Sequence, residues 1–129
     1  MKERSSPTVM IIEDNAYVSS YLAAILDLMD IETISASSSN ECLLKLSELR
    51  NAGKHIDVVI LGGREPIEKG GLMVSQIKQV NQATKILAIV RNTGTRHKLL
   101  AAGADVAVTK PVSGQTVAEN VLMLTRDSH

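Results

Sequence analysis

Four short runs of consecutive apolar residues constrain the fold of this chain more than any other feature. Each run is long enough for a strand and too short for a helix, and segments with helical spacing separate them. A strand without alternating polar residues is typical of a parallel sheet that is covered on both faces. The runs predict strands at Val9–Ile12, Asp57–Leu61, Ile86–Val90 and Val106–Val108, and the weakly alternating Glu32–Ala36 predicts a fifth strand near one edge.

Five segments with a helical period alternate with these strands, and small polar residues predict where the helices begin. In the first helix, Val18 and Met29 belong to the predicted core stripe, and Tyr17 and Tyr21 are expected to pad the edge of the core. The predicted N-caps are Asp14 or Asn15 for the first helix, Ser38 for the second (with Glu41 reaching back in a capping box), Thr93 or Thr95 for the fourth and Ser113 for the fifth.

The alternation of strands and helices predicts the fold class. It indicates a three-layer α/β fold of five strand–helix units, in which helices cover both faces of a five-stranded parallel sheet. Right-handed crossovers leave few topologies, and at this length the flavodoxin-like strand order 2-1-3-4-5 is favoured. The functional crevice of such a sheet lies outside the carboxyl ends of the strands. The residues at those ends are Glu13, Asp14, Gly62, Gly63, Val90, Arg91, Thr109 and Lys110.

Composition excludes several classes of function. The 129 residues correspond to about one domain, and aromatic residues make up only 2% of them, which disfavours base stacking and membrane-interface belts. The formal net charge is zero, so the electrostatic term behind most nucleic-acid binding is missing. No apolar run approaches the roughly 20 residues of a membrane span. Cys42 is the only cysteine, which fits a reducing compartment, and we expect a cytoplasmic protein that binds neither nucleic acid nor membrane through this domain.

The chain is expected to form a single folded unit between two polar ends. Residues 1–8 are predicted to be a flexible lead-in, residues 9–125 the domain, and residues 126–129 a polar tail. A linker to a further domain often begins at such a polar tail. A complete protein and an amino-terminal domain of a longer one both stay open as interpretations.

Several short motifs occur in order along almost the whole chain. They are Ile12-Glu13-Asp14-Asn15, Ala36 with Glu41-Cys42-Leu43, Asp57–Leu61 with Pro66, Gly70, Ala102-Gly103-Ala104-Asp105 and Thr109-Lys110-Pro111. From Val9 to about Leu124 the sequence therefore resembles the receiver domain of bacterial response regulators. This resemblance implies the same 2-1-3-4-5 sheet and a cis Lys110–Pro111 bond.

The resemblance also implies roles for particular positions, and three of them have changed. In the family an acidic pair and an acceptor aspartate hold Mg²⁺, and a lysine contacts the phosphoryl group; Glu13, Asp14 and Lys110 match the pair and the lysine. Gly62 stands at the acceptor position. Val90 stands where the family has a Thr or Ser, and Ala107 stands where it has an aromatic switch residue.

These replacements predict a degenerate receiver, or pseudo-receiver, that does not switch by aspartyl phosphorylation. Phosphoryl transfer requires a nucleophilic oxygen in line with the donor and a cation that neutralises developing charge. Gly62 removes the nucleophile and one metal ligand together. Glu13 and Asp14 alone are expected to hold Mg²⁺ weakly or not at all, so no cofactor is expected.

The residual pocket formed by Glu13, Asp14 and Lys110 has two interpretations. In the structural one, which we favour, Lys110 neutralises two like charges. In the functional one, the pocket still binds a cation or an anionic ligand, so the alternative function is a receiver-fold sensor of a small ligand or cation. Arg64 is proposed to fold over the acidic pair and fill the space left by the missing aspartate.

The predicted activity is protein–protein interaction in two-component or phosphorelay signalling, without enzymatic chemistry. Flavin binding on this fold requires a Ser/Thr/Gly-rich loop after the first strand, and none of His55, His97 and His129 has an evident nucleophile at a strand end. The expected partner is a signalling protein or an output domain. The expected docking face is formed by the fourth helix, fifth strand and fifth helix; the alternative is the first helix. A homodimer through the last two helices is a further expectation.

Overall fold

A computed structural model describes residues 7–64 and 69–126, so Pro66 and the ends of the chain lie outside the described residues. Five strands and five helices alternate along it. In order they are β1 (Thr8–Ile12), α1 (Ala16–Leu28), β2 (Glu32–Ala36), α2 (Ser39–Asn51), β3 (Val58–Leu61), α3 (Gly70–Val80), β4 (Lys85–Val90), α4 (Thr93–Ala102), β5 (Val106–Thr109) and α5 (Gly114–Arg126).

The five strands form one sheet in the order β2-β1-β3-β4-β5, and every neighbouring pair is parallel. The predicted three-layer flavodoxin-like fold and its strand order are therefore confirmed. The Lys110–Pro111 peptide bond is cis, as the resemblance implied. Within the described ranges no helix is long and apolar enough to cross a membrane.

Two apolar cores lie on opposite faces of the sheet. The alternating side chains of β1 divide between them: Val9 and Ile11 face one core, and Met10 and Ile12 face the other. The first core is closed by α1 and α5, and the second by α2, α3 and α4. Burial on both faces explains why the central strands read as continuous apolar runs.

The two edge strands differ from the central ones in burial. β3 is buried throughout, whereas only Ala36 is buried in β2 and its other four residues are exposed or half-buried, as predicted for an edge. In β5 only Ala107 is buried, and Val106 and Val108 are half-buried. The prediction that this last run is fully covered was wrong, because β5 is the other edge of the sheet and lacks a neighbour on one side.

The ends of the predicted domain need small corrections. Thr8 was assigned to the lead-in but begins β1, where its backbone N–H donates to a carboxylate oxygen of Asp57 at 2.8 Å. Arg126 was assigned to the tail but ends α5. Both residues are held by the elements they extend, so the folded part is slightly longer than residues 9–125.

Three N-caps agree with the sequence, and one does not. Asn15 caps α1, its Oδ1 accepting from the N–H groups of Tyr17 and Val18 at 2.9 and 3.2 Å. The remaining caps use a side chain that accepts the N–H three residues later: Ser38 for α2 at 3.2 Å, Asn92 for α4 at 2.8 Å and Ser113 for α5 at 3.1 Å. Asn92 therefore replaces the predicted Thr93 or Thr95. The carboxylate of Glu41 does reach back, but to the N–H of Ser37 at 2.6 Å, one residue before the cap.

The outer side of α1 is more apolar than the sequence suggested. Val18 and Met29, predicted as core residues, are 40% and 37% exposed. Tyr17 and Tyr21 were expected to pad the core, but their side chains are 88% and 57% exposed. The core face of this helix is narrower than predicted and is formed mainly by Leu22 and Leu26.

Candidate functional site

A cleft of about 510 Å³ lies at the carboxyl ends of the central strands. It brings together four of the predicted site residues, Glu13, Asp14, Arg64 and Lys110, with Arg91. Asn15, Val18 and Gly63 complete its lining. The cleft therefore contains two acidic and three basic side chains. From the sequence, Arg91 had been noted only as a strand-end residue without a role; its position directly after β4 was the signal that could have assigned it to the cleft.

Gly62 is buried and follows β3 directly, one residue before Gly63 of the cleft lining. Its backbone N–H donates to the carbonyl of Ile12 at 2.9 Å and so continues the pairing of β1 with β3. A Cβ placed on Gly62 would lie 3.0 Å from Oε1 of Glu13 and 3.5 Å from the carbonyl oxygen of Ile12. The carboxylate of Glu13 therefore lies in close contact with the position of a Cβ at residue 62, and a side chain there would require it to shift by a few tenths of an ångström.

Gly63 allows an equally close approach by the second carboxylate. Its φ of +73° lies in the left-handed region, and a Cβ there would meet Oδ1 of Asp14 at 2.7 Å and Oε2 of Glu13 at 3.1 Å. Both the backbone conformation and the contact exclude a larger residue. The pair Gly62-Gly63 thus makes room for the two carboxylates that follow β1.

Glu13 is held in a defined position by a hydrogen bond and by burial. The backbone N–H of Asn15 donates to its Oε2 at 3.0 Å, and the residue is only 8% exposed. Burial raises the pKa of the Glu13 carboxyl, and the adjacent Asp14 raises it further; the Asn15 N–H and the charge of Lys110 act in the opposite direction without offsetting the increase.

Arg64 contacts the acidic pair at the surface. Its Nε lies 3.7 Å from Oδ2 of Asp14, and the side chains are 81% and 43% exposed. This contact reaches only Asp14, so the hypothesis that Arg64 folds over both carboxylates stays a prediction. Its second part needs correction, because an 81% exposed side chain does not fill the space beside Gly62, which Glu13 occupies. At such exposure the ion pair contributes little to stability.

Lys110 lies on the cleft without a direct ionic partner within residues 7–64 and 69–126, where no carboxylate is within 4.0 Å of its ammonium group. Its backbone N–H donates to the carbonyl of Val90 at 2.7 Å, which fixes its place beside β4. Its influence on Glu13 is therefore exerted across the cleft. The one basic side chain in ionic contact with the acidic pair, within the described residues, is Arg64, and it contacts only Asp14.

Val90 and Ala107 lie in the apolar core between the sheet and α2–α4, and are 1% and 3% exposed. Leu99 of α4 belongs to the same cluster. On the other side of β5, the Nε of Arg96 donates to the carbonyl of Ala107 at 2.8 Å. Neither position offers a side-chain hydroxyl or an aromatic ring near the cleft.

The donor set of the cleft does not fit Mg²⁺ well. Mg²⁺ in proteins is bound by carboxylates, waters and substrate phosphates in octahedral geometry. The cleft offers Glu13 and Asp14, one of which accepts a backbone hydrogen bond while the other contacts a guanidinium group. Nowhere in the described ranges do three or more His, Cys, Asp or Glu side chains form a cluster that could hold a metal.

The parallel 2-1-3-4-5 sheet, with charged side chains at the carboxyl ends of its strands, defines a flavodoxin-like α/β domain with its site at that edge. A family model described as the response regulator receiver domain matches residues 9–122. The chain therefore belongs to the response regulator receiver domain family of two-component signalling. Domains of this family are regulatory and interact with partner or output domains.

Solved structures of receiver domains share this fold at low sequence identity. A CheY-like receiver protein from Methanospirillum hungatei is similar with a TM-score of 0.82 and 17% identity, covering 96% of this chain and 97% of its own. The receiver domain of Francisella response regulator 1452 has a TM-score of 0.80 and 21% sequence identity, and the match covers 96% of this chain and 100% of that domain. The chemotaxis protein CheY4 of Vibrio cholerae has a TM-score of 0.77 and 20% sequence identity, and the match covers 92% of this chain and 98% of that protein. A comparison with curated proteins finds no match.

Proposed function

We propose that this chain is a pseudo-receiver, a receiver domain that acts by protein–protein interaction without aspartyl phosphorylation. The observation that carries the proposal is the geometry at Gly62, which has no side chain to accept a phosphoryl group and where the carboxylate of Glu13 lies 3.0 Å from the position of a Cβ. The backbone of Gly62 continues the β1–β3 pairing, so position 62 keeps its place in the sheet while lacking a nucleophile.

The chemistry around Gly62 supports the same interpretation. An acceptor must present an ionised oxygen to the donor while a cation neutralises the developing charge. The nearest carboxylate, Glu13, is buried, holds a backbone hydrogen bond and has a raised pKa. Its oxygens are therefore less accessible to a phosphoryl donor than those of an exposed aspartate at the strand end would be.

The apolar surroundings of Val90 and Ala107 support the absence of a switch as well. Val90 has no hydroxyl group that could donate a hydrogen bond to a phosphoryl group in the cleft. At position 107 a buried methyl group replaces any ring that could turn inward. The proposed domain therefore keeps one conformation, and its partner recognises that conformation directly.

The proposed partner is a signalling protein or an output domain, and the proposed docking face consists of α4, β5 and α5. In the described residues this face is largely polar: His97 and Lys98 of α4 and Gln115 and Glu119 of α5 are exposed, with Met123 as its large apolar residue at 44% exposure. A polar face of this kind is typical of reversible association. The first helix stays the alternative docking surface. The dimer through α4 and α5 stays a prediction, and so does the cytoplasmic location.

A second candidate function is a receiver-fold sensor of a small anionic ligand. The observation that favours it is the cleft of about 510 Å³ with Arg64, Arg91 and Lys110 on its walls. This volume is in the range of small-molecule sites, roughly 300–1,000 Å³. Three basic side chains favour an anion over the cation that the sequence alone left open.

The test is an amide NMR titration with Mg²⁺ and beryllofluoride, a phosphoryl mimic. For the native chain we expect no saturable shifts at Asp14, Gly62 and Lys110. For Gly62→Asp we expect shifts at the same positions, because the variant regains an acceptor and a third oxygen ligand. Gly62→Asn is the matched control, since it has the same size without the charge, and should not respond.

The outcomes separate the candidate functions. Saturable shifts in the native chain with Mg²⁺ and beryllofluoride would contradict the non-switching proposal. Shifts with inorganic phosphate alone, lost in Arg91→Gln and Lys110→Gln, would favour the anion sensor. A silent native chain beside a responsive Gly62→Asp would support the pseudo-receiver and identify residue 62 as the position that silences it.

A further inference from the structure

The first helix carries two apolar stripes, and only one of them is used by the fold. The inner stripe packs on the sheet through Leu22 and Leu26. The outer stripe, which we define as Tyr17, Tyr21, Ala24 and Leu28, faces away from the core. Tyr17 and Leu28 are 88% and 87% exposed, and Tyr21 is 57% exposed.

The spacing of the outer stripe is that of a helix-packing seam. Its members are separated by four, three and four residues, which is the alternation of a and d positions in a coiled coil. The ring of Tyr21 is held in place from one side, because a Cβ on Gly114 of α5 would lie 3.0 Å from its Cε2. The stripe thus presents a straight apolar edge with at least one preformed side chain.

The stripe is self-complementary for a second helix that runs antiparallel. Tyr17 and Leu28 are equally far from the midpoint of the stripe, between Leu22 and Ala23, and so are Tyr21 and Ala24. Two copies related by a twofold axis at that midpoint would place the ring of Tyr21 on the small Ala24 of the other copy. Tyr17 would then face Leu28, so every member of the stripe has an apolar partner.

Charge favours the same arrangement. The outer side of α1 has no charged residue before Asp27, near its carboxyl end. At its amino end lies the cleft, in which the three basic side chains of Arg64, Arg91 and Lys110 outnumber the carboxylates of Glu13 and Asp14. An antiparallel pair brings the acidic end of each helix toward the basic end of the other and also opposes the two helix dipoles favourably. A parallel pair would place like ends together.

The remainder of the described surface offers no second apolar patch that could receive the stripe. Val18 and Met29 flank the stripe at the two ends of α1, and the large apolar side chains exposed elsewhere in the described ranges are Leu44, Leu72 and Met123, one on each of α2, α3 and α5. A head-to-tail contact would need a complementary patch elsewhere on the molecule, whereas a twofold contact uses the same patch twice. We propose that the outer stripe of α1 is the interface of an antiparallel, twofold symmetric homodimer.

This inference goes beyond the proposed function, because it concerns a different surface and does not depend on whether residue 62 accepts phosphate. It places self-association on α1 and leaves the face of α4, β5 and α5 to the signalling partner. Dimerisation is therefore expected to be the same in the native chain and in Gly62→Asp, with or without Mg²⁺.

Sedimentation equilibrium tests the interface. The native chain should change from monomer to dimer between about 1 µM and about 1 mM, the range of small transient interfaces. Leu28→Glu should weaken dimerisation by about 100-fold or more, because the twofold axis counts each substitution twice. Leu44→Glu, at an exposed apolar position on α2, is the matched control and should dimerise like the native chain; circular dichroism confirms that both variants fold.

A mixed cross-linking experiment tests the orientation. Tyr17→Cys and Leu28→Cys are each prepared alone and treated with a short bis-maleimide, and then as an equal mixture. An antiparallel pair cross-links in the mixture and not in either variant alone. The native chain, whose Cys42 is buried, gives the background.

Several results would overturn the proposal. They are a monomer throughout the concentration range, a dimer that Leu28→Glu leaves intact, cross-linking of either variant with itself, or no cross-linking in the mixture. A monomer whose outer-stripe variants lose binding to a purified signalling protein would assign the stripe to that partner instead.

Discussion

At the scale of single residues, the decisive arrangement is a carboxylate lying where a side chain is missing. Oε1 of Glu13 lies 3.0 Å from the position of a Cβ on Gly62, and Oδ1 of Asp14 lies 2.7 Å from the position of a Cβ on Gly63, so the glycines allow both carboxylates to pack closely. Two glycines after β3 and two carboxylates after β1 therefore form one packed unit. The chemistry lost at position 62 and the burial of Glu13 have a common structural cause.

The burial of Glu13 predicts a particular dependence of stability on pH. Its pKa in the folded state is raised above the ordinary 4.5, so the folded state binds the proton more tightly than the unfolded one. The free energy of unfolding therefore falls as pH rises from the ordinary pKa of 4.5 to the raised pKa of the folded state. Above that range the ionised Glu13 carboxylate destabilises the fold. We expect Glu13→Gln, which still accepts the Asn15 N–H, to unfold at higher urea concentration than the native chain at pH 7. This difference should shrink as pH falls below about 4.5.

Glu41→Gln is the control for this experiment, because it should behave in the opposite way. The backbone N–H and hydroxyl of Ser37 lower the pKa of the Glu41 carboxyl, so its stabilising effect is present above the ordinary 4.5 and is lost as pH falls. The glutamine variant should be less stable than the native chain at pH 7 and equal to it in acid. Equal pH profiles for the two variants would contradict the assignment of Glu13.

The contact at Gly63 predicts a large cost for adding a single methyl group. Gly63→Ala meets both a left-handed backbone and Oδ1 of Asp14 at 2.7 Å. We expect a loss of about 1–3 kcal/mol in the free energy of unfolding, measured by urea denaturation. Gly53→Ala isolates the backbone contribution, because Gly53 has a φ of +76° with nothing within 4 Å of a Cβ. If Gly53→Ala is as destabilising as Gly63→Ala, the packing contribution at Gly63 is absent.

At the scale of helices and strands, the sequence predicted the existence and order of the ten elements that residues 7–64 and 69–126 form. Strand signals were strong because buried parallel strands read as uninterrupted apolar runs. The misassigned burial of β5 has a physical origin: Val106 and Val108 are typical strand residues on an edge and in the centre alike. The exposure of Val18 and Met29 likewise depends on how α1 is rotated against the sheet, which apolar spacing fixes only approximately.

The N-cap of α4 shows why helix ends were harder to predict than helices. Asn92, Thr93 and Thr95 are all capping residues, and the choice depends on which residue has extended backbone angles; Asn92 has them, with φ −148° and ψ 166°. We expect Asn92→Ala to lower the free energy of unfolding by about 1 kcal/mol, because the N–H of Thr95 loses its acceptor. Thr93→Ala, within the first turn, serves as the control and should change stability much less. A larger effect at Thr93 would contradict the observed cap.

At the scale of the whole molecule, topology explains why the site could be predicted in outline. A parallel sheet brings all carboxyl strand ends to one edge, so Glu13, Asp14 and Lys110 had to be near one another once the strand order was known. The directions of long side chains were beyond such reasoning. Arg64 lies over Asp14 instead of entering the space beside Gly62, and Lys110 acts across the cleft, because both depend on rotamers that neighbouring residues select in three dimensions.

Because residue 62 follows a central strand of the sheet, the thermal stability of the whole domain should report changes at this position. In Gly62→Asp a third carboxylate is attached to a Cβ that would lie 3.0 Å from Oε1 of Glu13, and repulsion should make the metal-free variant less stable than the native chain. Mg²⁺ that binds only the folded variant stabilises it by RT ln(1 + [L]/Kd), about 1.4 kcal/mol at ten times Kd. We expect the thermal midpoint of Gly62→Asp to rise with Mg²⁺, measured by circular dichroism, and that of the native chain to stay constant.

Gly62→Asn separates charge from size in this measurement. It places a side chain of the same volume against Glu13 without adding a negative charge, so it should reproduce the packing cost at position 62 and gain no stability from Mg²⁺. If Mg²⁺ stabilises the native chain as much as Gly62→Asp, then Glu13 and Asp14 suffice to hold the ion, and the cleft is a cation site despite its three basic residues. If Mg²⁺ stabilises only the aspartate variant, the scaffold has kept its capacity for the ion, and the substitution of one residue is what separates this domain from a metal-binding receiver.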